Sequence, residues 1–385
     1  PKDKLKVDAP ENAPDLTITF VIDVSGVPLS IRQSIRHKEI DPSIGEIYQP
    51  LTVAPPVVFE IPKRTMMLVN KQDRQLKFAV KGLTDSTEVT VRLIAPAGLK
   101  TSWTEQRIKF GKSGEVKALE VTLSEKGRFE SGELRFEVVT STGTYSFGQS
   151  QVKYEHIRTQ TWFPAANLKI RALEVSGNTG TIGYIPGPGD EVAECLQEIG
   201  FTVKKLSDQE LQNADLGGYK AIICGIRTYN TNDRMALLQP ALNRYIENGG
   251  TYIVQYQTNN FIGGTKSGIA PVKLTLGRER VTREEATVKI LDPAQPLFTT
   301  PNAIGERDFQ SWVQERGLYF ASEWDASLKP VFEMNDPGEK VQQGSTLIGR
   351  YGQGEYIYSG LSFFRQLPAG VPGAYRLLVN MINLK

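Results

Sequence analysis

Between residues 16 and 153 apolar side chains recur at every second position in short runs, at 16–22, 75–80, 88–94, 118–123 and 132–139, with turn-forming residues between them. Period-two alternation sends successive side chains to opposite faces, so these runs predict antiparallel, half-buried strands and a β-sandwich. The stretch from Asp41 to Pro56 is rich in Pro and turn residues, and the strands before it are too few to close a sheet. Residues 1–55 are therefore expected to be a β leader, the tail of an upstream sandwich, with the sandwich proper at 56–160.

From about Arg171 the pattern changes. Runs at 181–185, 201–206, 219–224 and 251–256 alternate with helical periodicity at 190–199 and 234–248, the latter closed by Gly249 and Gly250. Strands separated by helices of this length need crossover connections, which predicts a parallel, doubly wound, flavodoxin-like α/β sheet over 161–385. After Gly263 the pattern loosens into loops holding Trp312 and Trp324, then recovers in strands near 347–349 and 355–359 and a helix at 375–382.

Composition narrows the class. The chain has 385 residues, enough for two or three domains, with 45 Lys and Arg against 43 Asp and Glu and a formal net charge of +2. No basic run or basic-aromatic stripe recurs, so a nucleic-acid partner is not expected. No apolar stretch reaches the ~18 residues of a membrane span. Two cysteines, Cys195 and Cys224, exclude a disulfide framework and a thiolate zinc cluster, and two histidines cannot build a His-rich metal site. The chain opens at Pro1 without a charged-then-apolar leader, so any secretion signal is expected to have been removed.

In an open α/β sheet ligands bind beyond the carboxyl ends of the strands, where the strand order reverses. The segments expected there carry Asp190, Arg227, Tyr229, Asn230, Gln257 and Asn259, a hydrogen-bonding rim suited to a sugar or a carboxylate, or to capping helices and tying loops. Gly187 and Gly189 give half a dinucleotide fingerprint, but Val192 stands where the third small residue belongs. Asp190 would also oppose a pyrophosphate at the helix start, so a turn with an N-cap is the better reading.

Cys224 lies in an apolar strand run, Cys195 inside a helix, and His37 and His156 fall in the β region or its linker, so no Cys-His pair is expected in the α/β unit. Ser362 lacks the Gly-x-Ser-x-Gly elbow. Asp190, Glu191, Glu315, Glu323, Asp325 and Asp336 remain as acid-base candidates, otherwise solvated or capping residues. Two loop-like segments, one with Trp312 and Arg316 and one with Phe363, Phe364 and Arg365, join aromatics to Arg and could stack on sugar faces.

The segments 154–157, 182–190, 225–230, 247–250 with 255–256, 312–317, 334–338 and 360–373 together resemble the C-terminal half of large bacterial LmbE-like (PIG-L family) de-N-acetylases, and 41–46 resembles the lead into their middle β domain. The resemblance implies a parent enzyme that removes N-acetyl groups from sugars through a zinc site upstream, outside the cytoplasm, in the periplasm or secreted. The His-Pro-Asp-Asp motif of that site does not occur here. The β part would then be similar to immunoglobulin-like domains attached to glycosidases, and the α/β part to a class I glutamine amidotransferase-like domain. In that family the nucleophilic Cys follows the strand that here is 251–256; residues 256–259 contain none, so the triad is expected to be lost.

These readings converge on a non-catalytic accessory region that binds carbohydrate, or positions the upstream deacetylase domain, without a cofactor or metal of its own. The candidate ligand contacts are Asp190, Arg227, Tyr229, Asn230, Gln257, Asn259, Trp312, Arg316 and Arg365. A hydrolase at the same rim and a purely structural scaffold are the alternatives.

Overall fold

The alternating runs become strands. The computed structural model describes residues 13–213, 215–259 and 263–385, and in it Arg74–Gly82, Thr87–Ile94, Val116–Glu125 and Ser131–Thr140 each contain one of the runs. They fall into two sheets. A four-stranded sheet runs in the order Val57–Glu60, Arg74–Gly82, Val116–Glu125, Leu99–Thr101. A six-stranded sheet runs Glu105–Phe110, Thr87–Ile94, Ser131–Thr140, Asn167–Leu173, Thr65–Val69, with Gly143–Tyr145 attached to Ser131–Thr140. Alternate residues from both sheets, among them Leu76, Phe78, Val80, Val91, Leu123, Leu134, Phe136 and Val138, make one apolar cluster. The intervening Lys77, Glu133 and Arg135 are exposed. Phe59, Phe78 and Phe136 interlock at its centre with ring centroids 5.0–6.4 Å apart.

This unit runs past residue 160. Asn167–Leu173 pairs antiparallel with 131–135 and parallel with Thr65–Val69, so the boundary expected at 160 lies beyond Leu173. The reason is visible in the side chains. Met66 and Leu68 enter the two-sheet core while Met67 and Val69 enter the core of the next unit, so one strand is buried on both faces and joins the two.

The second unit is a seven-stranded mixed sheet in the order Thr202–Lys205, Thr181–Ile185, Ala221–Cys224, Thr251–Gln255, Gly354–Ser359, Thr346–Tyr351, Lys329–Pro330. The first five are mutually parallel, and Thr346–Tyr351 pairs antiparallel with Gly354–Ser359 on one side and with Lys329–Pro330 on the other. Both faces are apolar. Ile182, Tyr184, Ile223, Ile253 and Ile357 meet the helices Val192–Ile199 and Pro372–Asn383 on one side. On the other, Ile185, Cys224, Tyr252, Val254 and Tyr358 meet Met235–Glu247. That helix stops at Asn248, with Gly249 at φ 99° supplying the left-handed turn. Between residues 263 and 345 short antiparallel pairs of strands distant in sequence, such as Leu274–Leu276 with Ala321–Trp324, lie beside the sheet.

The leader forms two hairpins, Thr17–Val24 with Val27–Ser34 and Arg36–Asp41 with Gly45–Pro50, which contribute no residue to the apolar clusters. The turn-rich reading of 41–56 missed Gly45–Pro50, whose paired strand is short and mostly polar. The chain is thus a β-rich multidomain protein, and among the described residues no helix is long and apolar enough to cross a membrane.

Candidate functional site at the carboxyl edge of the parallel sheet

The order of the parallel strands reverses between Thr181–Ile185 and Ala221–Cys224, the place where a crevice would open. Here the two following loops are pressed together. A methyl group added at Gly187 would lie 2.0 Å from the Ile226 carbonyl oxygen, and one at Gly225 would lie 2.6 Å from the Gly187 nitrogen. Asp190 ties the loops further, accepting hydrogen bonds from the Tyr184 hydroxyl, from Val192 N–H at 3.3 Å and from Ile226 N–H at 3.2 Å. Burial raises the Asp190 carboxyl above the usual aspartate range even against these three donors. Tyr184, pushed up by the same burial and by the neighbouring carboxylate, keeps its proton and donates it.

Most of the rim expected from sequence is engaged inside the chain. Tyr229 is fully buried, its hydroxyl donating to Gln239 Oε1 at 2.6 Å and lying 2.8 Å from the Tyr252 hydroxyl. Gln257 is also buried: its Oε1 accepts from Tyr229 N–H, and its Nε2 donates to the carbonyls of Gly225 and Gln255. Asn230 clasps Thr258 through both the backbone N–H and carbonyl of that residue, and Asn259 donates to the Leu276 carbonyl.

Trp312, expected as a sugar platform, is 2% exposed, packs against Phe309 and Phe363, and donates its indole N–H to the Asp308 carbonyl. Arg316 is buried beside it, its guanidinium giving hydrogen bonds to the carbonyls of Ala286 and Phe309. Desolvation pulls its ionisation down to about 10. Tyr229, Gln257, Trp312 and Arg316 are therefore structural ties, not ligand contacts. Apolar surroundings and nearby carbonyls outcompete solvent for each of them.

The edge instead presents a stack of rings that sequence reading did not assemble. Tyr256 directly follows the central strand and packs between Tyr319 and Phe364, with centroids at 5.7 Å and 5.3 Å and interplanar angles of 26° and 18°. The Arg365 guanidinium lies 4.8 Å from the Phe364 ring centre and is paired with Glu315. Arg227 is exposed nearby, in the left-handed region at φ 57°. Gln314 and Tyr319 share that conformation at φ 67° and 52°, so three non-glycine residues hold strained backbone around this stack. The adjacent aromatics in 362–370 pointed to Phe364. Tyr256 and Tyr319 carried no local signal, because 63 positions separate them.

Phe364 and Arg365 line a cleft of about 1440 Å³ between the two units. Its charged lining is Lys63, Arg64, Lys77, Lys169 and Arg365 against Glu60, Glu133 and Glu191, which disfavours a cationic ligand. Gln149, Asn167 and Gln314 add amide groups.

The groups considered for covalent chemistry lie elsewhere. The thiols of Cys195 and Cys224 are buried and both pushed up to about 12 by desolvation. His37 and His156 sit in hairpins of the β region. Ser362 is buried, donating to the Glu315 carbonyl. Among the described residues no cluster of His, Cys, Asp and Glu is arranged to hold a metal ion.

No family model matches the chain, and no curated protein does. Similar solved structures include a protein of unknown function from Porphyromonas gingivalis, 11% identical over 34% of this chain and 60% of that one, with a TM-score of 0.21. Others are a mutant of Salmonella alpha-2-macroglobulin (20% identity, 33% and 8% covered, TM-score 0.22) and an MSP family member from C. elegans (8%, 30% and 97%, TM-score 0.19). The chain thus spans 60% of the first of these and 8% of the second. Likenesses this slight carry no argument about fold or function.

Proposed function

We propose that this chain is a non-catalytic accessory region of a secreted or periplasmic LmbE-like sugar de-N-acetylase. It binds carbohydrate in the cleft between its two units and presents it to, or positions, the upstream zinc-dependent domain. The observation that carries this reading is the Tyr319, Tyr256, Phe364 and Arg365 stack opening on an amide- and arginine-lined cleft. Planar guanidinium and amide groups beside aromatic rings are suited to sugar hydroxyls and their apolar faces.

The wider resemblance has support of the same kind. Numbered along the chain, the five parallel strands stand in the order 2-1-3-4-5, which favours a flavodoxin-like, amidotransferase-like unit. Two antiparallel-rich sheets around one core favour an immunoglobulin-like sandwich before it. Where an amidotransferase nucleophile would follow the central strand stand Tyr256 and Gln257, and Cys224 is buried with its thiol at about 12, which weighs against a hydrolase at this edge.

The test is calorimetric titration with N-acetylglucosamine oligomers and with their de-N-acetylated counterparts. Saturable heat is expected with the neutral oligomers, weaker heat with the cationic ones, and loss of both in Phe364→Ala and Arg365→Ala. No heat with any oligomer would move the reading to a structural scaffold.

A further inference from the structure

The hairpin of Thr17–Val24 with Val27–Ser34 has two unlike faces. Its register puts Ile18, Phe20, Ile22 and Val24 on the same side as Gln33, Ile31, Leu29 and Val27, through the pairs Ile18 with Gln33, Phe20 with Ile31, Ile22 with Leu29 and Val24 with Val27, so the neutral Gln33 at the open end is the one polar residue of this face. The other side holds Thr17, Thr19, Val21, Asp23, Pro28, Ser30, Arg32 and Ser34. All seven apolar side chains of the first face are 42% to 66% exposed. A two-stranded ribbon is marginal in water by itself, and one bearing seven large uncovered apolar groups needs a second layer.

We propose that this face is covered by the same face of a second copy of the chain, giving a two-fold dimer with a two-layer, four-stranded contact. Three features of the ribbon select a like copy. The face carries no ionisable group, so two copies meet without like-charge repulsion. Its side chains taper from Phe20 and Ile31 to Val24 and Val27 at the turn. A two-fold axis across the strands at Ile22 lays the bulky end of one ribbon over the small end of the other, as interdigitating layers require. At about half exposure each side chain offers on the order of 80 Å², so two faces bury on the order of 1,100 Å², at the ~1,000 Å² that a specific contact needs. This contact lies apart from the cleft and does not depend on the carbohydrate reading.

Sedimentation of the full chain across a concentration series tests it. The expected result is a monomer–dimer equilibrium in the micromolar range. Phe20→Asp with Ile22→Asp should weaken it at least 100-fold, whereas Val21→Asp on the opposite face should leave it unchanged. To separate loss of the contact from disorder of the ribbon in the double variant, Ile22→Cys provides a second readout. Both natural cysteines are buried, and the axis places the two new thiols opposite each other, so a short bismaleimide should give a covalent dimer at micromolar protein. A chain that stays monomeric at hundreds of micromolar, a dimer insensitive to the double variant, or no cross-link from Ile22→Cys would overturn the proposal. The first of these results would assign the face to a different β layer.

Discussion

The two cores solve the same packing problem with different chemistry. Between residues 57 and 173 the cluster is almost wholly hydrocarbon, built on Phe59, Phe78, Phe110 and Phe136, and Thr101 is the one buried polar residue described there. Between 181 and 385 six tyrosines, Tyr184, Tyr229, Tyr252, Tyr356, Tyr358 and Tyr375, are among the largest fully buried side chains, and they are joined inside by Gln255, Gln257, Arg316, Asp336, Gln366 and Asn380. The first core needs shape alone, since two sheets satisfy their own backbone. The second must hold irregular loops over the ends of parallel strands, where backbone groups have no ladder partner, so side chains supply the hydrogen bonds. The difference teaches where specificity is stored: in volume on one side, in paired polar atoms on the other.

The largest expected effect tests the volume side. Phe136 lies within 5.0 Å of Phe78 and 5.5 Å of Phe59, and Phe136→Ala should destabilise the chain by about 3–5 kcal/mol in chemical denaturation. The strand Thr65–Val69 feeds both cores, so the loss should lower the midpoint of the whole transition. A separate early transition for the two-sheet unit would break the comparison by showing that the cores do not communicate.

A smaller effect tests the polar side. Asn380, buried on the last helix, accepts from the N–H and the side-chain amide of Asn302 and donates to the carbonyls of Leu297 and Asn302. Asn380→Leu keeps the branched, four-atom shape of the side chain and puts bulkier methyl groups where the amide stood, so it strands these four groups and should cost about 2–3 kcal/mol. A neutral result would mean that volume governs this core as well. Denaturant midpoints of the two variants, taken side by side, decide it.

The same contrast explains what the sequence made legible. Alternation at 75–80, 88–94, 118–123 and 132–139 located four strands because a hydrocarbon core leaves its period in the chain. The strand-helix rhythm of 181–256 was equally plain. The rim was not. Nothing local distinguishes Tyr229, Gln257 or Trp312 facing inward from the same residues facing a ligand, because their partners, Tyr252, Gly225 and Asp308, are fixed by tertiary packing. The stack at Tyr256 was hidden for the same reason, being assembled from three distant segments. The exposed apolar face of the leader was visible as alternation, but the register that sorts its residues came only with the pairing of Phe20 and Ile31.

The smallest expected effect asks whether the polar core's own titration can be read out. Burial raises the Asp190 carboxyl above its unfolded value, so the native state holds that proton more tightly than the unfolded chain does. Its contribution to stability is therefore fully present below the unfolded aspartate range and is lost as pH rises through the raised native value. Asp190→Asn cannot titrate. It keeps an acceptor for Tyr184 but sets an amide donor near Ile226 N–H, a cost that does not change with pH. Carboxylates held low by their partners, such as Asp336 beneath Thr282 and Arg283, pull stability the other way, but they are common to both proteins and cancel in the difference. Calorimetric Tm values across the acid range should thus show the advantage of the wild type over Asp190→Asn shrinking as pH rises. A constant or growing advantage would mean that the three donors outweigh burial at Asp190, and that the latch across the closed switch point is held by a carboxylate stabilised as an anion.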